Sequence, residues 1–429
     1  MSVQPVRSKL SASRAASNWI CPSCSLVRRP HNTKRQFSGL AVDAPITREP
    51  FTRVNEPQRV IFSLIQPTGI PHLGNYLGAL RRWKELQDEK TAPTKKRRRN
   101  NRLIFGLADL HSLTLKQDRE VRRQNSRQTF ASLLALGLDP NRSALFLQSQ
   151  IQEHAELMWI LSNVASTGYL SRMTQWKDKI GVGKDASMEQ LDEKAREKLK
   201  LSLFSYPVLQ AADILLYRPN FVPVGEDQLQ HVEFTRQLAR SFNSAYARDL
   251  KAPTFNLPEV MLSPAKRIMS LQQPEKKMSK SDPDVNSRIL ITDAPDEIRN
   301  KIRKAKTDSV EGPLTYDPEK RPGVSNLIEI LKHVTRSSKS CEEITQELQD
   351  TTLGALKALV AEEIVKNLDG IKEKYDAIVA AGDKEIHSAM VLGTRVARAK
   401  AGNTMKHVRE AVGLYVPEKA SGAREKDGL

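Results

Sequence analysis

Apolar positions along the chain form two kinds of pattern, short apolar runs and stripes at helical spacing. Residues 60–65 (VIFSLI) are apolar apart from Ser63 and include β-branched side chains, which is typical of a buried parallel strand. The segment after it has apolar residues at helical spacing: Leu73, Tyr76, Leu77, Leu80 and Trp83. Residues 103–105 repeat the strand pattern, and residues 206–217 repeat the helical one. The pattern predicts buried strands separated by amphipathic helices.

The rest of the chain divides into one more strand pattern and a long helical region. Residues 221–231 predict a short buried strand, a turn at Gly225 and a polar helix start. From about residue 294 the sequence becomes helical and polar, and residues 342–378 and 384–411 carry apolar residues at helical spacing. These stripes predict helices that pack one face against the rest of the protein.

The turn between the first strand and the first helix carries the first candidate chemistry. Residues 66–75 read QPTGIPHLGN, and Gly69 and Gly74 let the backbone approach a ligand closely. A helix that begins here points N–H groups at an anion, and a nucleotide phosphate is the natural occupant. His72 would then donate a hydrogen bond to the charge that develops on the α-phosphate. The alternative is a plain strand–turn–helix with a surface histidine.

The second candidate is a cationic segment, KKMSKS, at residues 276–281. Pro274 and Pro283 flank it, which favours a loop over a helix. Three ammonium groups in so short a span repel one another unless an anion or solvent separates them. A mobile loop that closes Lys277 and Lys280 on the β- and γ-phosphates of ATP explains this composition. The alternative is a solvated basic loop.

A lone carboxylate, Asp213, interrupts the apolar helical pattern of residues 206–217. A buried charge is costly unless a partner pairs with it. Asp213 could accept the N–H of an indole, which is the one hydrogen bond that an indole donates. A site built on that bond would reject phenylalanine, because the acceptor would be left unpaired. The alternative is that Asp213 faces solvent or caps a neighbouring element.

Residues 66–75 and residues 276–281, in this order and about two hundred residues apart, resemble the nucleotide-binding signatures of class I aminoacyl-tRNA synthetases. They are called the first and the second signature below. Residues 226–231 (EDQLQH) and residues 278–279 (MS) resemble the tryptophanyl enzymes more than the tyrosyl enzymes. The Gln-Ala-x-Asp pattern that ends at Asp213 is common to both groups. The resemblance covers about residues 58–415.

The resemblance implies an α/β fold whose catalytic domain has a Rossmann-like, doubly wound parallel sheet. This domain would span residues 55–290, with a basic insertion near residues 90–102. An α-helical anticodon-binding domain would follow at residues 291–416, where the basic helix faces would contact tRNA. The composition of residues 417–429 predicts a disordered tail.

The resemblance also implies roles for individual residues. Catalytic roles fall on His72, Lys277, Lys280 and Lys179. ATP contacts fall on Gln66, Thr68, Gly74, Asn75, Gly225, Asp227, Gln228, Ile268, Met278 and Ser279. Tryptophan contacts fall on Phe62, Gln66, His111, Gln175, Tyr206, Gln210 and Asp213. Position 210 departs from the pattern, because bacterial members often have Met there, and the packing around the indole stays open.

The implied reaction has two steps. The tryptophan carboxylate attacks the α-phosphate of ATP to give tryptophanyl-adenylate, and the terminal adenosine 2′-hydroxyl of tRNA(Trp) then takes the acyl group. Magnesium would be carried on the ATP phosphates, with no tightly bound protein metal. The resemblance further implies a homodimer. Two rivals remain: a tyrosyl enzyme of the same fold, and an RNA-binding protein, such as an intron-splicing factor, that kept the fold without the activity.

Charge and length agree with a nucleic-acid partner. The 429 residues are enough for two domains, and the formal charge of +18 suits a polyanion such as tRNA. No apolar stretch has the length of a membrane span. Residues 95–99 (KKRRR) predict a solvated loop insertion, although a tRNA backbone contact or a nuclear signal would share this composition.

The first 42 residues have a composition of their own. They contain Arg, Lys, Ser and Ala but no Asp or Glu, which is typical of a mitochondrial transit peptide and predicts a location in the matrix. Residues 35–38 resemble a cleavage context for a matrix protease. The alternative is a disordered basic tail. Cys21 and Cys24 have no second cysteine pair at zinc spacing, and we assign them no role.

Overall fold

The computed structural model of the protein describes residues 58–90, 101–263, 267–310 and 312–414. The predicted transit peptide, the basic residues 95–99 and the predicted C-terminal tail lie outside the described residues. Within the described ranges, no helix combines the length and the apolar character that crossing a membrane requires.

A parallel sheet lies at the centre of the fold. Its strands in the described residues are β1 (Arg59–Ile65), β2 (Asn101–Leu107), β3 (Ser143–Leu147), β4 (Phe221–Val224) and β5 (Glu259–Leu262). The strand order is β3-β2-β1-β4-β5, and every pairing is parallel. Ile61 pairs with Leu103 on one side and with Phe221 on the other, which makes β1 the central strand.

The order of strand addition reverses at β1. The chain adds β2 and β3 on one side of β1 and then returns to add β4 and β5 on the other. In open parallel sheets, ligands bind outside the carboxyl ends of the strands at such a switch point. The two carboxyl ends here are Ile65 of β1 and Val224 of β4. The predicted doubly wound fold is confirmed, and its switch point gives the expected position of the site.

Helices pack on both faces of the sheet. Those of the described residues are α1 (Leu73–Asn75), α2 (Arg81–Lys90), α3 (Arg119–Ala135), α4 (Glu153–Ser162), α5 (Thr167–Ser171), α6 (Thr174–Ile180), α7 (Glu193–Lys198), α8 (Leu201–Leu215), α9 (Leu229–Tyr246), α10 (Pro295–Arg303), α11 (Pro322–Thr335), α12 (Cys341–Glu347), α13 (Leu353–Leu368), α14 (Ile371–Ala380) and α15 (Asp383–Ala411). A π-helical segment, Tyr76–Leu80, joins α1 to α2.

Two hydrophobic cores lie on opposite faces of the sheet, because successive side chains of a strand point in opposite directions. Ile61 belongs to the core that includes α2, α3 and most of the C-terminal helices. Its neighbours Val60 and Phe62 belong to the core that includes α4, α8 and α9. Burial on both faces explains why β1 is apolar without alternation.

The last helix, α15, packs against the edge strand β3. Gly393 lies directly against the β3 backbone, where a Cβ would overlap the carbonyl oxygen of Leu145. The first core, which contains Ile61, also continues across the predicted domain boundary. Its residue Leu80 lies before residue 290 and its residue Leu331 lies after it. The functional division at residue 290 remains a prediction.

Candidate active site

A cavity of about 740 Å³ lies at the switch point, beside the carboxyl ends of β1 and β4. The predicted site residues that line it are Phe62, Gln66, Thr68, His72, Gly74, Asn75, His111, Gln175, Lys179, Tyr206, Gln210, Asp213, Gly225, Asp227, Gln228, Ile268, Lys277 and Lys280. Met278 and Ser279 are not part of the lining. The fold therefore gathers both signatures and the intervening segments around one space.

His72 caps α1 and faces the cavity. Its Nδ1 accepts the backbone N–H of Asn75 at 3.3 Å, while the Asn75 side-chain oxygen accepts the N–H of His72 at 3.1 Å. Because Nδ1 is an acceptor, the ring proton lies on Nε2. Burial, together with the charges of Lys280, Lys277 and Arg288, lowers the pKa of His72 to about 3. A neutral, buried imidazole therefore lines the cavity, and the alternative of a surface histidine is wrong.

The lysine segment, residues 276–281, forms a loop as predicted and contacts the first signature. Lys280 Nζ donates hydrogen bonds to the carbonyl oxygens of Thr68 and Gly69, at 3.1 and 2.9 Å. Burial, with the charge of Arg288, lowers the pKa of Lys280 to about 7. An anion in the cavity would favour the protonated form, so this group gains charge when a phosphate binds.

Other residues of the loop have different surroundings. The exposed Lys277 ammonium lies 3.9 Å from Asp227 Oδ2. The Met278 side chain is buried in the first core, and its backbone N–H donates to the carbonyl oxygen of Ile268 at 3.0 Å. The Ser279 hydroxyl shares a hydrogen bond of 2.8 Å with the hydroxyl of Ser281. Met278 thus anchors the loop, and the ATP contacts of Met278 and Ser279 stay predictions.

Helix α3 also contacts the turn of the first signature. The Thr129 hydroxyl lies 2.8 Å from the carbonyl oxygen of Gly69. Gly69 has a φ of +88°, and a Cβ there would lie 2.9 Å from the Asn125 side-chain oxygen and 3.1 Å from that of Gln128. A glycine is therefore required both by conformation and by space.

Asp213 lines the cavity but is only 2 % exposed. Its Oδ1 accepts hydrogen bonds from Gln148 Nε2 at 2.6 Å and His154 Nδ1 at 2.7 Å, and its Oδ2 accepts one from His111 Nε2 at 2.7 Å. Burial raises the pKa of Asp213, but the interactions with His111 and His154 outweigh it and lower the pKa to about 2. The carboxylate is ionised, and the alternative that it faces solvent is wrong.

Tyr206 of α8 connects two polar side chains on another part of the wall. Gln175 Oε1 is an acceptor, so the Tyr206 hydroxyl donates to it at 2.9 Å and in turn accepts from His231 Nε2 at 2.9 Å. Burial lowers the pKa of His231 to about 4, which keeps this ring neutral. The Lys179 ammonium lies 5.1 Å from the centre of the Tyr206 ring, and burial lowers its pKa.

A chain of amides continues this wall toward the end of β4. Gln210 Nε2 donates to Gln228 Oε1 at 3.0 Å, and Gln228 Nε2 donates to Asp227 Oδ2 at 3.2 Å. Gln175 Nε2 donates to the backbone carbonyl of Asp227 at 2.9 Å. A Cβ on Gly225 would lie 2.8 Å from Asp227 Oδ1, so glycine at this turn leaves room for the carboxylate.

Several residues of the site are missing from the sequence prediction. Gln148 and His154 contact Asp213, and Tyr217 contacts His154 at 3.0 Å. Gly78 and Ala79 of the π-helical segment also line the cavity. No motif marks these positions. The available signal for Gln148 was its place directly after β3, since residues that follow parallel strands face the ligand edge of the sheet.

Comparisons with known proteins agree with this geometry. The sequence pattern of the family described as "tRNA synthetases class I (W and Y)" matches residues 55–369. The mitochondrial tryptophan–tRNA ligase of Saccharomyces cerevisiae is 43 % identical over 357 residues, which cover 82 % of this chain and 90 % of that protein. The mitochondrial tryptophan–tRNA ligase of Schizosaccharomyces pombe is 41 % identical over 362 residues, 84 % of this chain and 97 % of that protein.

Solved structures give the same result. The crystal structure of tryptophanyl-tRNA synthetase from Mycoplasma pneumoniae matches with a TM-score of 0.68 and 32 % identity, over 83 % of this chain and 98 % of that chain. The Campylobacter jejuni enzyme complexed with ADP and tryptophan matches with a TM-score of 0.61 and 29 % identity, over 83 % and 100 % of the respective chains.

The chain belongs to the class I tRNA synthetase family of tryptophan and tyrosine enzymes. It is an aminoacyl-tRNA ligase. The resemblance predicted from the two signatures is confirmed.

Proposed function

We propose that this chain ligates L-tryptophan to tRNA(Trp) with ATP, through a tryptophanyl-adenylate, for mitochondrial translation. The relatives at 43 % and 41 % identity are named mitochondrial tryptophan–tRNA ligases, which supports the amino acid and the compartment. The Campylobacter jejuni structure is a complex with ADP and tryptophan, which supports ATP as the nucleotide. The observation in this chain that carries the proposal is the state of Asp213, an ionised carboxylate that can accept a hydrogen bond from an amino acid side chain.

A carboxylate has about four acceptor positions, two on each oxygen. At Asp213, Gln148 and His154 take both positions of Oδ1, and His111 takes one position of Oδ2. Among the described residues no other donor reaches Oδ2, so one of its positions remains for a donor that enters the cavity. The indole N–H of tryptophan would fill it. A phenol could also donate to this oxygen, so the experiment below includes tyrosine.

In the first step, an oxygen of the tryptophan carboxylate attacks the α-phosphorus of ATP while the bond to the β-phosphate breaks. Because the substrate supplies the nucleophile, the enzyme would act by alignment and by charge stabilisation. His72 would donate its Nε2–H to an α-phosphate oxygen. Lys277 and Lys280 would stabilise the charge on departing pyrophosphate, and Mg²⁺ would enter on the ATP phosphates.

The remaining lining residues would position the substrates. Gln175 and Tyr206 would receive the tryptophan ammonium, Asp227 and Gln228 would border the ATP ribose, and Ile268 would flank the adenine. Lys179 would add a second cation near the phosphates. In the second step, the terminal adenosine 2′-hydroxyl of tRNA attacks the adenylate carbonyl carbon, AMP leaves, and the hydroxyl proton leaves with it.

Further parts of the chain would serve tRNA binding, assembly and location. Residues 291–416 would recognise the anticodon, and residues 1–42 would direct import into the mitochondrial matrix. A homodimer would cover two large apolar side chains on the packed helices α4 and α8, Trp159 and Leu201, which are 76 % and 79 % exposed.

ATP–pyrophosphate exchange with each of the twenty amino acids, supplied separately to the purified protein, tests the proposal. Exchange with tryptophan alone is the expected result. Exchange with tyrosine would reject the assignment of the amino acid and keep the class of enzyme. A folded protein that supports no exchange would favour an RNA-binding protein that lost the activity.

A further inference from the structure

We propose that His154 and Gln148 are positioning residues for amino acid specificity, and that Tyr217 acts behind them by fixing the tautomer of His154. This inference rests on the proposed function. It goes beyond Asp213 itself, because it concerns fully buried side chains that hold the carboxylate in one orientation from the side opposite the substrate.

The donors around Asp213 come from separate elements of the fold. Gln148 follows β3 directly, and His154 lies in the first turn of α4. Gln148 donates to Asp213 Oδ1 at 2.6 Å through Nε2, while its Oε1 accepts the backbone N–H of Leu110 at 3.1 Å. The second bond fixes the orientation of the amide, because the oxygen must face the N–H. Gln148 can therefore act toward Asp213 only as a donor.

The hydrogen-bond pattern also assigns the state of His154. Its Nδ1 faces a carboxylate oxygen at 2.7 Å and therefore carries a proton. Its Nε2 lies 3.0 Å from the Tyr217 hydroxyl. Burial, with the charge of Asp213, raises the pKa of Tyr217, so the phenol keeps its proton and can donate it to Nε2. A histidine with its proton on Nδ1 and an acceptor lone pair on Nε2 satisfies both bonds.

The surroundings leave these groups little freedom to move. The Tyr217 ring stacks on Phe62 with centroids 4.8 Å apart, and the Phe146 and His154 rings lie 6.0 Å apart. Gln148, His154 and Tyr217 are each 0 % exposed. All three groups therefore lie inside the core, where packed neighbours hold them in place.

This arrangement converts a symmetric carboxylate into a directional acceptor. With both positions of Oδ1 occupied, Asp213 cannot turn Oδ1 toward the cavity without breaking two hydrogen bonds. A side chain that fits the cavity but lacks an N–H would leave the last position of Oδ2 unpaired in a buried place, which is a large penalty. His154 and Gln148 thus set how strongly the site rejects an amino acid that cannot donate.

The test compares tryptophan with 3-(benzothiophen-3-yl)alanine, in which sulfur replaces the indole N–H. ATP–pyrophosphate exchange would be measured with each amino acid for the full-length wild-type protein and for H154A, H154N and H154Q. In H154A the kcat/KM for tryptophan should fall about 10- to 100-fold, while the value for the analogue changes much less. The preference for tryptophan should therefore narrow, with the KM for ATP unchanged.

The asparagine and glutamine variants form a matched pair. An Asn amide nitrogen lies close to the place of His Nδ1 and can donate to Asp213, whereas a Gln amide extends toward the place of Nε2 and Tyr217. We expect H154N to restore most of the wild-type preference and H154Q to resemble H154A. Y217F keeps the ring that stacks on Phe62 and should give a smaller loss in the same direction.

Three outcomes would overturn the inference. The first is a wild-type preference in H154A, and the second is an equal rise of the KM values for tryptophan and ATP. The third is a preference for tryptophan over the analogue that is equally narrowed in H154N and H154A, when both variants have the thermal unfolding midpoint of the wild-type protein. If H154A does not fold, H154N, H154Q and Y217F decide the question. No tryptophan-dependent exchange in the wild-type protein would reject the proposed function, and this inference with it.

Discussion

The Lys280 ammonium donates a hydrogen bond of 2.9 Å to the carbonyl oxygen of Gly69, which lies 211 residues earlier in the chain. The two signatures therefore meet through a backbone oxygen of the first and a cation of the second. A carbonyl dipole is a weaker partner for an ammonium than a phosphate anion is. Lys280 is thus held close to the cavity by a contact that a triphosphate can replace.

Removing this cation should affect chemistry more than amino acid binding. We expect Lys280→Ala to slow adenylate formation about 100- to 1000-fold, because a preorganised charge opposite the leaving pyrophosphate is lost. Tryptophan binding, measured by equilibrium dialysis, should stay nearly constant, since the donors around Asp213 are untouched. Lys276→Ala removes an exposed lysine of the same loop and is the matched control. Equal losses of adenylation and of tryptophan binding in Lys280→Ala would contradict the assignment.

The lowered pKa of Lys280, about 7, makes ATP binding depend on pH. Above pH 7 the free side chain is mostly neutral, and only its protonated form attracts a triphosphate, so binding takes up a proton and weakens as pH rises. Calorimetry at pH 8 in buffers of different ionisation enthalpy should show uptake of almost one proton. Lys280→Arg keeps the charge at every pH used and should abolish the uptake. Equal proton uptake by the two proteins would show that another group is responsible.

Removing the acceptor should change which amino acids react. We expect Asp213→Ala to raise the KM for tryptophan about 10- to 100-fold, because a buried charge-assisted hydrogen bond to the substrate is lost. The preference over phenylalanine should narrow, since no unpaired acceptor penalises that side chain any longer. Exchange kinetics with tryptophan, tyrosine and phenylalanine measure both effects, and the KM for ATP is the internal control. An unchanged order of preference would count against this pocket.

Two glycines of α15 separate packing from helix propensity. Gly393→Ala places a methyl group into the β3 backbone and should destabilise the protein by about 1–3 kcal/mol or more, because neither element can yield without losing contacts. At Gly402, apart from the neighbouring helix backbone, no other atom of the described residues lies within 4 Å of the position of a Cβ, and Gly402→Ala should stabilise the protein by up to about 1 kcal/mol. Urea unfolding of both variants measures the change in the free energy of unfolding, which should be a decrease for Gly393→Ala and an increase for Gly402→Ala. A stable Gly393→Ala would show that α15 does not depend on this close approach.

Local patterns in the sequence predicted the elements that carry the site. The strand at residues 60–65 is part of β1, and Leu73, Tyr76, Leu77, Leu80 and Trp83 are all buried on one side of the following helix. The turn, the lysine loop and the strand–turn–helix at residues 221–231 also formed as predicted. These features depend on neighbours in the sequence, so residue types and their spacing are enough to recognise them.

Other features depend on partners that no local pattern names. Tyr76–Leu80 is π-helical rather than α-helical, and Met278 faces the core rather than the cavity. Gln148 and His154 reach Asp213 over 65 and 59 residues of chain. Each of these positions was fixed by packing between distant segments.

The class of enzyme could be recognised from the sequence through a family resemblance, because two phosphate-binding signatures and a lone carboxylate are short motifs whose residues can be matched one by one. The same resemblance implied the doubly wound fold, and the strand and helix patterns predicted elements that agree with it. The folded structure was needed to show that His72 is neutral, that Lys280 has a lowered pKa, and that Asp213 keeps one position for a donor. Those states depend on burial and on charges brought close in space, and neither is a property of a segment alone.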